Sequence, residues 1–180
     1  MARKTTQTTR IAGKKVRLVT AANGNITIKD APVEEWILQA AAVRAMRAMP
    51  EYADTVETVI KNTAAGRRSF TIAGDMNGDY RSQRAAVKAK ATGIAAGDPD
   101  LRIYLPNGRL RTIEYKNAEG TFTASQKIRH PLLGALGHPV VTVKIATEEE
   151  AATRTLELVR GWLAEVAAND NSQKYSLTNL

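Results

Sequence analysis

The 180-residue sequence contains no cysteine and only two histidines. Without thiols, neither a disulfide framework nor a cysteine-ligated zinc site is possible, which suits a reducing compartment, and we expect a cytoplasmic protein. Aromatic residues make up only 5% of the chain. Stacking of exposed bases on aromatic side chains is therefore not the expected way for this protein to bind a nucleic acid.

Long hydrophobic runs are also missing. Residues 1–10 are basic and polar with no apolar stretch after them, and no apolar run elsewhere is long enough to span a bilayer. We expect a soluble, unexported protein with no membrane partner. Gly13-Lys14 lacks the upstream glycine and the following Ser or Thr of a phosphate-binding loop, so no nucleotide cofactor is expected.

What the chain does have is positive charge. Its net charge is +8 and its pI is about 9.9, and 43% of its residues are hydrophobic. The hydrophobic content predicts a folded domain. The charge favours a polyanionic partner, because Lys and Arg that neutralise phosphates release condensed counterions. Charge alone does not choose between DNA, RNA and an acidic membrane surface.

Hydrophobic periodicity and turn residues predict an α/β domain with a mixed central sheet flanked by helices. The predicted helices cover residues 32–49, 52–62, 80–92 and 123–136, with a last helix from residue 147; the predicted strands cover 68–73, 100–105, 109–116 and 140–145.

The two ends of the chain are expected to lie outside this domain. Residues 14–20 and 25–29 are β-like runs around Asn23-Gly24, which supplies the positive φ angles of a tight hairpin. We predict a loose basic arm and a β-hairpin extension over residues 1–30, a main domain over 31–168, and a flexible polar tail over 169–180.

The most informative residues are Asp100, Glu114 and Lys116. Asp100 follows a proline, and Glu114 and Lys116 lie two residues apart in a predicted strand. Side chains alternate faces along a strand, so Glu114 and Lys116 project to the same side. The chemistry of the group depends on whether Asp100 lies beside them.

The length of the hairpin loop decides that point. A three-residue loop at 106–108 places Asp100 opposite Glu114 and Leu101 opposite Ile113, whereas a two-residue loop pairs Leu101 with Glu114. The first register pairs charged residues with charged residues and apolar residues with apolar residues. We therefore predict the three-residue loop.

Directly opposed carboxylates, with Cβ atoms about 4.5–5.5 Å apart, repel each other unless they share a cation. Oxygen ligands without histidine or cysteine suit Mg²⁺, with Mn²⁺ able to substitute. A metal acidifies a bound water, and Lys116 beside it would neutralise charge on a phosphate, so the set predicts phosphodiester hydrolysis. The alternative is that Asp100 only caps a turn while Glu114 and Lys116 face solvent on an amphipathic strand.

These residues resemble the PD-(D/E)xK nuclease superfamily, and more closely its virus-type replication-repair nuclease branch, the VRR-NUC domain. The similarity runs from about Glu35 to Leu163. It includes Glu35 and Gln39, the segment 97–101 containing Pro99-Asp100, Glu114-Tyr115-Lys116, Gly120, Ser125-Gln126 and the segment 137–141.

The resemblance implies a restriction-endonuclease-like nuclease domain in which Asp100 and Glu114 bind metal and Lys116 is catalytic. It also implies that Glu35 adds a further metal-binding acid and that Gln126 supports the site. Glu35 equally suits a helix dipole, and Gln126 equally suits an exposed first helical turn. Asp98 departs from the family, which usually has an uncharged residue there.

By the same resemblance, the protein is expected to be a Mg²⁺-dependent DNA endonuclease. It would be structure-selective for branched duplexes such as four-way junctions, homodimeric, and located in the cytoplasm of a bacterial or phage-infected cell. A nuclease that trims DNA ends and a non-catalytic DNA-binding or packaging accessory are the alternatives.

Basic residues on two predicted helices are candidates for DNA contact, although each one also suits a solvated helix face. His130 and His138 each precede a proline outside the acidic cluster, so we expect loop or core roles for both. The candidate DNA contacts are Arg81, Arg84, Lys88, Lys127 and Arg129.

Overall fold

The structure is a computed structural model that describes residues 3–75 and 83–177; the side chains of residues 83, 84, 86 and 169–177 are outside that description. The chain divides into two compact units, residues 1–33 and residues 34–180. None of the described helices is long and apolar enough to cross a membrane.

The first unit is a three-stranded antiparallel sheet of β1 (Thr5–Ile11), β2 (Lys14–Thr20) and β3 (Ile26–Asp30), in that order. The predicted hairpin is confirmed as β2 and β3. The prediction of a loose arm was wrong, because residues 5–11 are rich in β-branched threonine and pair with β2. Ala12 and Gly13, both with positive φ (47° and 79°), form the two-residue turn between those strands.

Among its described residues, the second unit contains a four-stranded sheet and five helices, so the predicted α/β class is confirmed. The strand order is β4-β5-β6-β7; the first two pairings are antiparallel and the third is parallel, which makes the sheet mixed. The strands are β4 (Thr71–Gly74), β5 (Leu101–Leu105), β6 (Arg109–Asn117) and β7 (Val140–Ile145), and the helices are α1 (Glu35–Arg47), α2 (Val56–Ala64), α3 (Gln83–Ala91), α4 (Ala124–Ala135) and α5 (Glu148–Leu177). Helix α5 thus continues into the segment predicted as a tail.

The predicted register of the β5–β6 hairpin is confirmed. Leu105 pairs with Arg109 around the three-residue loop 106–108, and Leu101 pairs with Ile113. Asn107 and Gly108 both take positive φ angles (62° and 69°), as the turn requires. Residue 100, which directly precedes β5, therefore comes next to residue 114.

Strand β6 is buried on both of its faces. Ile113 and Tyr115 have no exposed surface, and both belong to the hydrophobic core that helices α1 and α5 share with the sheet. The Tyr115 hydroxyl lies 2.9 Å from Oγ1 of Thr155 on α5, which satisfies both buried hydroxyl groups. The opposite face of β6 carries Glu114 and Lys116.

Candidate functional site

Glu114 and Lys116 are buried charges on β6. Glu114 has 0% exposed surface and Lys116 has 5%. Lys116 Nζ donates to Glu114 Oε1 at 2.6 Å and to Glu35 Oε2 at 3.1 Å. This burial rules out the alternative in which Glu114 and Lys116 face solvent. A buried ion pair of this kind is costly to maintain, because both charges are removed from water, and this makes it a candidate functional group.

Asp100 lies beside this pair. Its Oδ2 accepts a hydrogen bond from the Tyr115 backbone N–H at 2.8 Å, so the backbone of β6 holds the carboxylate in place. Burial and then the negative charge of Glu114 raise the pKa of Asp100 to about 6, against the opposing effects of the Tyr115 N–H and Lys116. The two acids therefore disfavour each other's ionised form.

The pKa of Glu114 is raised as well. Burial is the main cause, and the charge of Glu35 adds to it, while the hydrogen bond and charge of Lys116 act in the opposite direction. For Lys116, burial alone would lower the pKa, but the hydrogen bonds and charges of Glu114 and Glu35 outweigh burial and raise it. Lys116 therefore stays protonated at neutral pH.

Helix α1 contributes Glu35 and Gln39, which lie one helical turn apart and both reach the site. Glu35 Oε1 accepts from the Asn117 N–H at 3.3 Å, and Gln39 Nε2 donates to the Asp100 carbonyl at 2.9 Å. A Cβ at Gly120 would collide with the Glu35 carboxylate and crowd the Lys116 side chain. Glycine at that turn leaves the space that the Glu35–Lys116 pair occupies.

Gln126 combines two roles at the start of α4. Its Oε1 accepts from the Thr123 N–H at 2.9 Å, and Thr123 Oγ1 accepts from the Gln126 N–H at 3.2 Å, which together form a capping box. Its Nε2 donates to Glu114 Oε1. The sequence left open whether Gln126 was a helix-start residue or a site residue, and its contacts fit both.

Gly97 lets α4 approach the site. Its φ is +84°, and a Cβ there would lie 2.6–2.8 Å from backbone atoms of Ser125 and Gln126. Real Cβ atoms do not come so close to a backbone, so only glycine fits without movement of the helix. The first turn of α4 is thereby held against the segment that leads to Asp100.

The expectation that His130 lies outside the acidic cluster was wrong. His130 Nε2 is 3.6 Å from Glu114 Oε2, and the histidine side chain is only 13% exposed. Residues 126 and 130 lie one turn apart on α4 and so reach the same carboxylate. That spacing was the signal in the sequence that could have identified His130.

The surroundings of His130 favour its neutral form. Burial is the main reason that its pKa is lowered, and the charge of Lys116 adds to this, while a hydrogen bond to the backbone of Gly97 opposes it. The ring also packs edge-on against Phe122, with centroids 5.4 Å apart. His138, in contrast, is exposed.

Asp98, the acid that departs from the family pattern, is held by two arginines. Its carboxylate accepts from Arg102 at 2.7 Å and from Arg129 at 2.6 Å, and Arg102 also donates to Asp75 at 3.0 Å. Asp98 therefore stabilises the loop before Asp100. Arg129 is a candidate DNA contact, and its charge is already partly neutralised by its ion pair with Asp98.

The other candidate DNA contacts are less constrained. Lys88 on α3 and Lys127 on α4 are exposed. Arg81 lies outside the described residues, as does the side chain of Arg84.

The donor atoms fit a divalent cation held by two carboxylates. Glu114 Oε2 is buried, and no described residue makes a hydrogen bond with it. The negative charge of Glu114 raises the pKa of the neighbouring Asp100, and a shared cation would remove this repulsion. Within residues 3–75 and 83–177, no three acidic or histidine side chains are gathered closely enough to hold a metal as they stand. Mg²⁺ sites commonly use only one or two carboxylates and complete their shell with water and phosphate oxygens.

Comparison of the chain with known protein families, with curated proteins and with solved structures found no match. Membership of the VRR-NUC branch therefore remains a prediction that rests on the motif residues. Function must be argued from the geometry and chemistry of the site itself.

Proposed function

We propose that the protein is a metal-dependent deoxyribonuclease whose active site is formed by Asp100, Glu114 and Lys116. The observation that carries this proposal is Glu114, a fully buried carboxylate with one oxygen bound to Lys116 and the other without a hydrogen bond among the described residues. An unsatisfied buried carboxylate oxygen destabilises a fold, and strongly perturbed acids cluster at functional sites.

In this proposal, Asp100 and Glu114 would hold a divalent cation, and Gln126 and the Tyr115 backbone N–H fix the orientation of the two carboxylates. When bound, the metal would supply Lewis acidity and an activated water for attack on phosphorus. Glu35, through its contact with Lys116, is a positioning residue for the ammonium group.

The protonation of Lys116 defines its part in the reaction. Because Glu114 and Glu35 raise its pKa, Lys116 would act as a cation that neutralises charge developing on the phosphate oxygens, and not as a base. The ammonium has three N–H donors and uses two of them on Glu114 and Glu35, so the third would be left to donate to a phosphate oxygen.

The net charge of +8 and the exposed Lys88 and Lys127 support a polyanionic substrate, and the choice of DNA among polyanions follows from the family resemblance. Selectivity for branched duplexes and a homodimeric state are further proposals that follow from the family resemblance alone. End trimming and a non-catalytic DNA-binding role are the competing functions.

The proposal is tested by incubating linear, flap and four-way-junction DNA with the protein in Mg²⁺, Mn²⁺ or EDTA. We expect metal-dependent cleavage, and at least a hundredfold loss of rate in Glu114→Gln and in Lys116→Gln, on the scale of losing one charge-stabilising group. Lys144→Gln is the matched control: Lys144 lies beside Lys116 in the parallel register but is exposed, so its loss should change the rate less than about threefold.

The products separate the alternatives. Symmetric nicks near a junction support the branched-DNA endonuclease, whereas stepwise shortening of linear DNA supports end trimming. DNA binding with no metal-dependent cleavage would refute the enzyme and leave the accessory role. Full activity in Glu114→Gln would refute the proposed site.

A further inference from the structure

We infer that His130 and Glu114 together bind the cation of the proposed metal site through Nε2 and Oε2, and that the site therefore prefers a first-row transition-metal dication to Mg²⁺. The inference rests on the proposed metal-dependent function and specifies which cation that function uses. It also revises the expectation of Mg²⁺, which assumed a site built from oxygen ligands only.

The geometry brings two unsatisfied atoms together. His130 Nε2 and Glu114 Oε2 are 3.6 Å apart, both are buried, and neither has a hydrogen-bond partner among the described residues. Metal–nitrogen and metal–carboxylate bonds are each about 2.1 Å long, so two ligands of one ion lie at most about 4.2 Å apart. A separation of 3.6 Å is within that limit, and it is longer than a normal hydrogen bond.

The other side of the ring indicates which nitrogen carries the proton. His130 makes a hydrogen bond to the backbone of Gly97 that favours the protonated ring, as expected when the imidazole donates to a carbonyl. Since Nε2 has no hydrogen bond, Nδ1 is the donor. In the neutral ring Nε2 then carries a lone pair, and that lone pair faces Glu114. This is the arrangement found in many metal-binding histidines, whose second nitrogen is fixed by a carbonyl.

Two acceptor atoms that face each other in a buried site repel unless a proton or a cation lies between them. A cation that accepts both imidazole nitrogen and carboxylate oxygen satisfies both atoms. Mg²⁺ strongly prefers oxygen, while the first-row transition metals accept nitrogen, with affinities that rise from Mn²⁺ to Cu²⁺. Mn²⁺ has the lowest affinity in that series, so nitrogen coordination of Mn²⁺ is the strictest test of the inference.

The chain offers a clean spectroscopic test because it has only two histidines. Pulsed electron paramagnetic resonance of the Mn²⁺-loaded full-length protein detects a directly coordinated imidazole nitrogen by its modulation of the spin echo. We expect ¹⁴N modulation in the unaltered protein, its replacement by the ¹⁵N pattern after labelling with [¹⁵N]histidine, and its persistence in His138→Gln. The labelled protein needs no substitution at His130, so the test does not depend on the folding of that variant.

A second measurement compares affinities. His130→Gln should weaken Mn²⁺ binding at least tenfold, as expected for loss of a ligand, while Mg²⁺ binding, measured by its competition with Mn²⁺, should change less than about threefold. His138→Gln should change neither affinity. Unchanged Mn²⁺ affinity in His130→Gln, or no nitrogen modulation in the loaded protein, overturns the inference.

Mn²⁺ binding to Glu114→Gln distinguishes a failure of this inference from a failure of the proposed function. If Glu114→Gln abolishes Mn²⁺ binding while the unaltered protein shows no nitrogen coupling, the metal site stands and only the role of His130 is refuted. If Mn²⁺ binds equally well to Glu114→Gln, the proposed metal site is refuted and the inference fails with it.

Discussion

Replacing Asp100 by asparagine is expected to make the metal-free protein more stable at neutral pH and to abolish its metal-dependent cleavage. Asparagine keeps an oxygen that can accept the Tyr115 N–H, so the change removes charge with little change of shape. It also removes the repulsion between Asp100 and Glu114. We expect this result because the ionised Asp100 carboxylate destabilises the metal-free fold, although the same charge would be needed to bind a cation.

The magnitude follows from the proton affinity of Asp100. Its pKa rises from 3.8 to about 6, and each tenfold change in proton affinity is worth about 1.4 kcal/mol, so the ionised carboxylate costs the folded protein about 3 kcal/mol. For a chain of this length that corresponds to a rise of about 6–12 °C in the Tm of Asp100→Asn.

The pH dependence has a definite sign. Because the folded-state pKa of Asp100 is the higher one, the folded protein binds more protons than the unfolded chain between about pH 4 and pH 6. The stability contributed by protonated Asp100 is thus present near pH 4 and is lost as the pH rises through 6. The difference in the free energy of unfolding between Asp100→Asn and the unaltered protein should be small at pH 4 and largest above pH 7.

Urea unfolding in EDTA at pH 4, 6 and 8 measures this difference, with Asp98→Asn as the matched control. Asp98 is also a partly buried acid, but it binds Arg102 and Arg129, so its loss should destabilise the protein by about 1–3 kcal/mol. Destabilisation of similar size in Asp100→Asn at pH 8, or a stability difference that does not change with pH, would refute the reasoning. At a metal concentration of a hundred times its Kd, the unaltered protein should gain about 2.7 kcal/mol, and Asp100→Asn much less.

Three further predictions concern the supports of the site and its pH profile. Gly97→Ala should lower the free energy of unfolding, measured by urea denaturation, by about 2–4 kcal/mol, because the alanine Cβ would meet the backbone of α4. Gly93 also has a positive φ but faces open space, so Gly93→Ala should lower the free energy of unfolding by only about 1 kcal/mol. Equal losses in the two variants would contradict the packing argument. Tyr115→Phe should lower the free energy of unfolding by about 1–3 kcal/mol without changing the Mn²⁺ affinity, because the Tyr115 hydroxyl lies on the core side of β6. Tyr104 is exposed, so Tyr104→Phe should lower the free energy of unfolding by less than about 0.5 kcal/mol. A changed Mn²⁺ affinity in Tyr115→Phe would argue against the separation of the core face of β6 from the face that carries the site. With subsaturating metal, the cleavage rate should rise with pH through about 6 as Asp100 ionises, and a rate that is flat from pH 5 to 8 would contradict its role as a ligand.

The parts of the fold that the sequence predicted well depend on local chemistry. The β5–β6 register followed from turn residues at 106–108 and from strand alternation, both of which involve residues close in the chain. The strand β1 was missed because its turn, Ala12-Gly13, lacks the asparagine or aspartate of the commonest hairpin turns. Local signals therefore predicted elements and register, and they failed where a turn used an uncommon residue.

The site was predictable in part for the same reason. Glu114 and Lys116 share a face by alternation, and Glu35 and Gln39 share one by helical spacing. Contact between these pairs depends on how α1 packs on the sheet, which no local pattern specifies. His130 was misplaced because its role depends on how close α4 lies to Glu114, which no local pattern specifies.

The sequence by itself determined the positive charge of the protein, the alternation of Glu114 and Lys116, and the register that brings Asp100 beside them, because each depends on composition or on neighbours along the chain. Only the tertiary structure decided that Glu114 is fully buried, that Asp100 holds its proton up to about pH 6, and that an unpaired nitrogen of His130 faces the same carboxylate. Burial and proton affinity depend on every group that surrounds a side chain. Here those groups come from α1, α4 and the segment before β5, which are separated from Glu114 along the chain and adjacent to it in space.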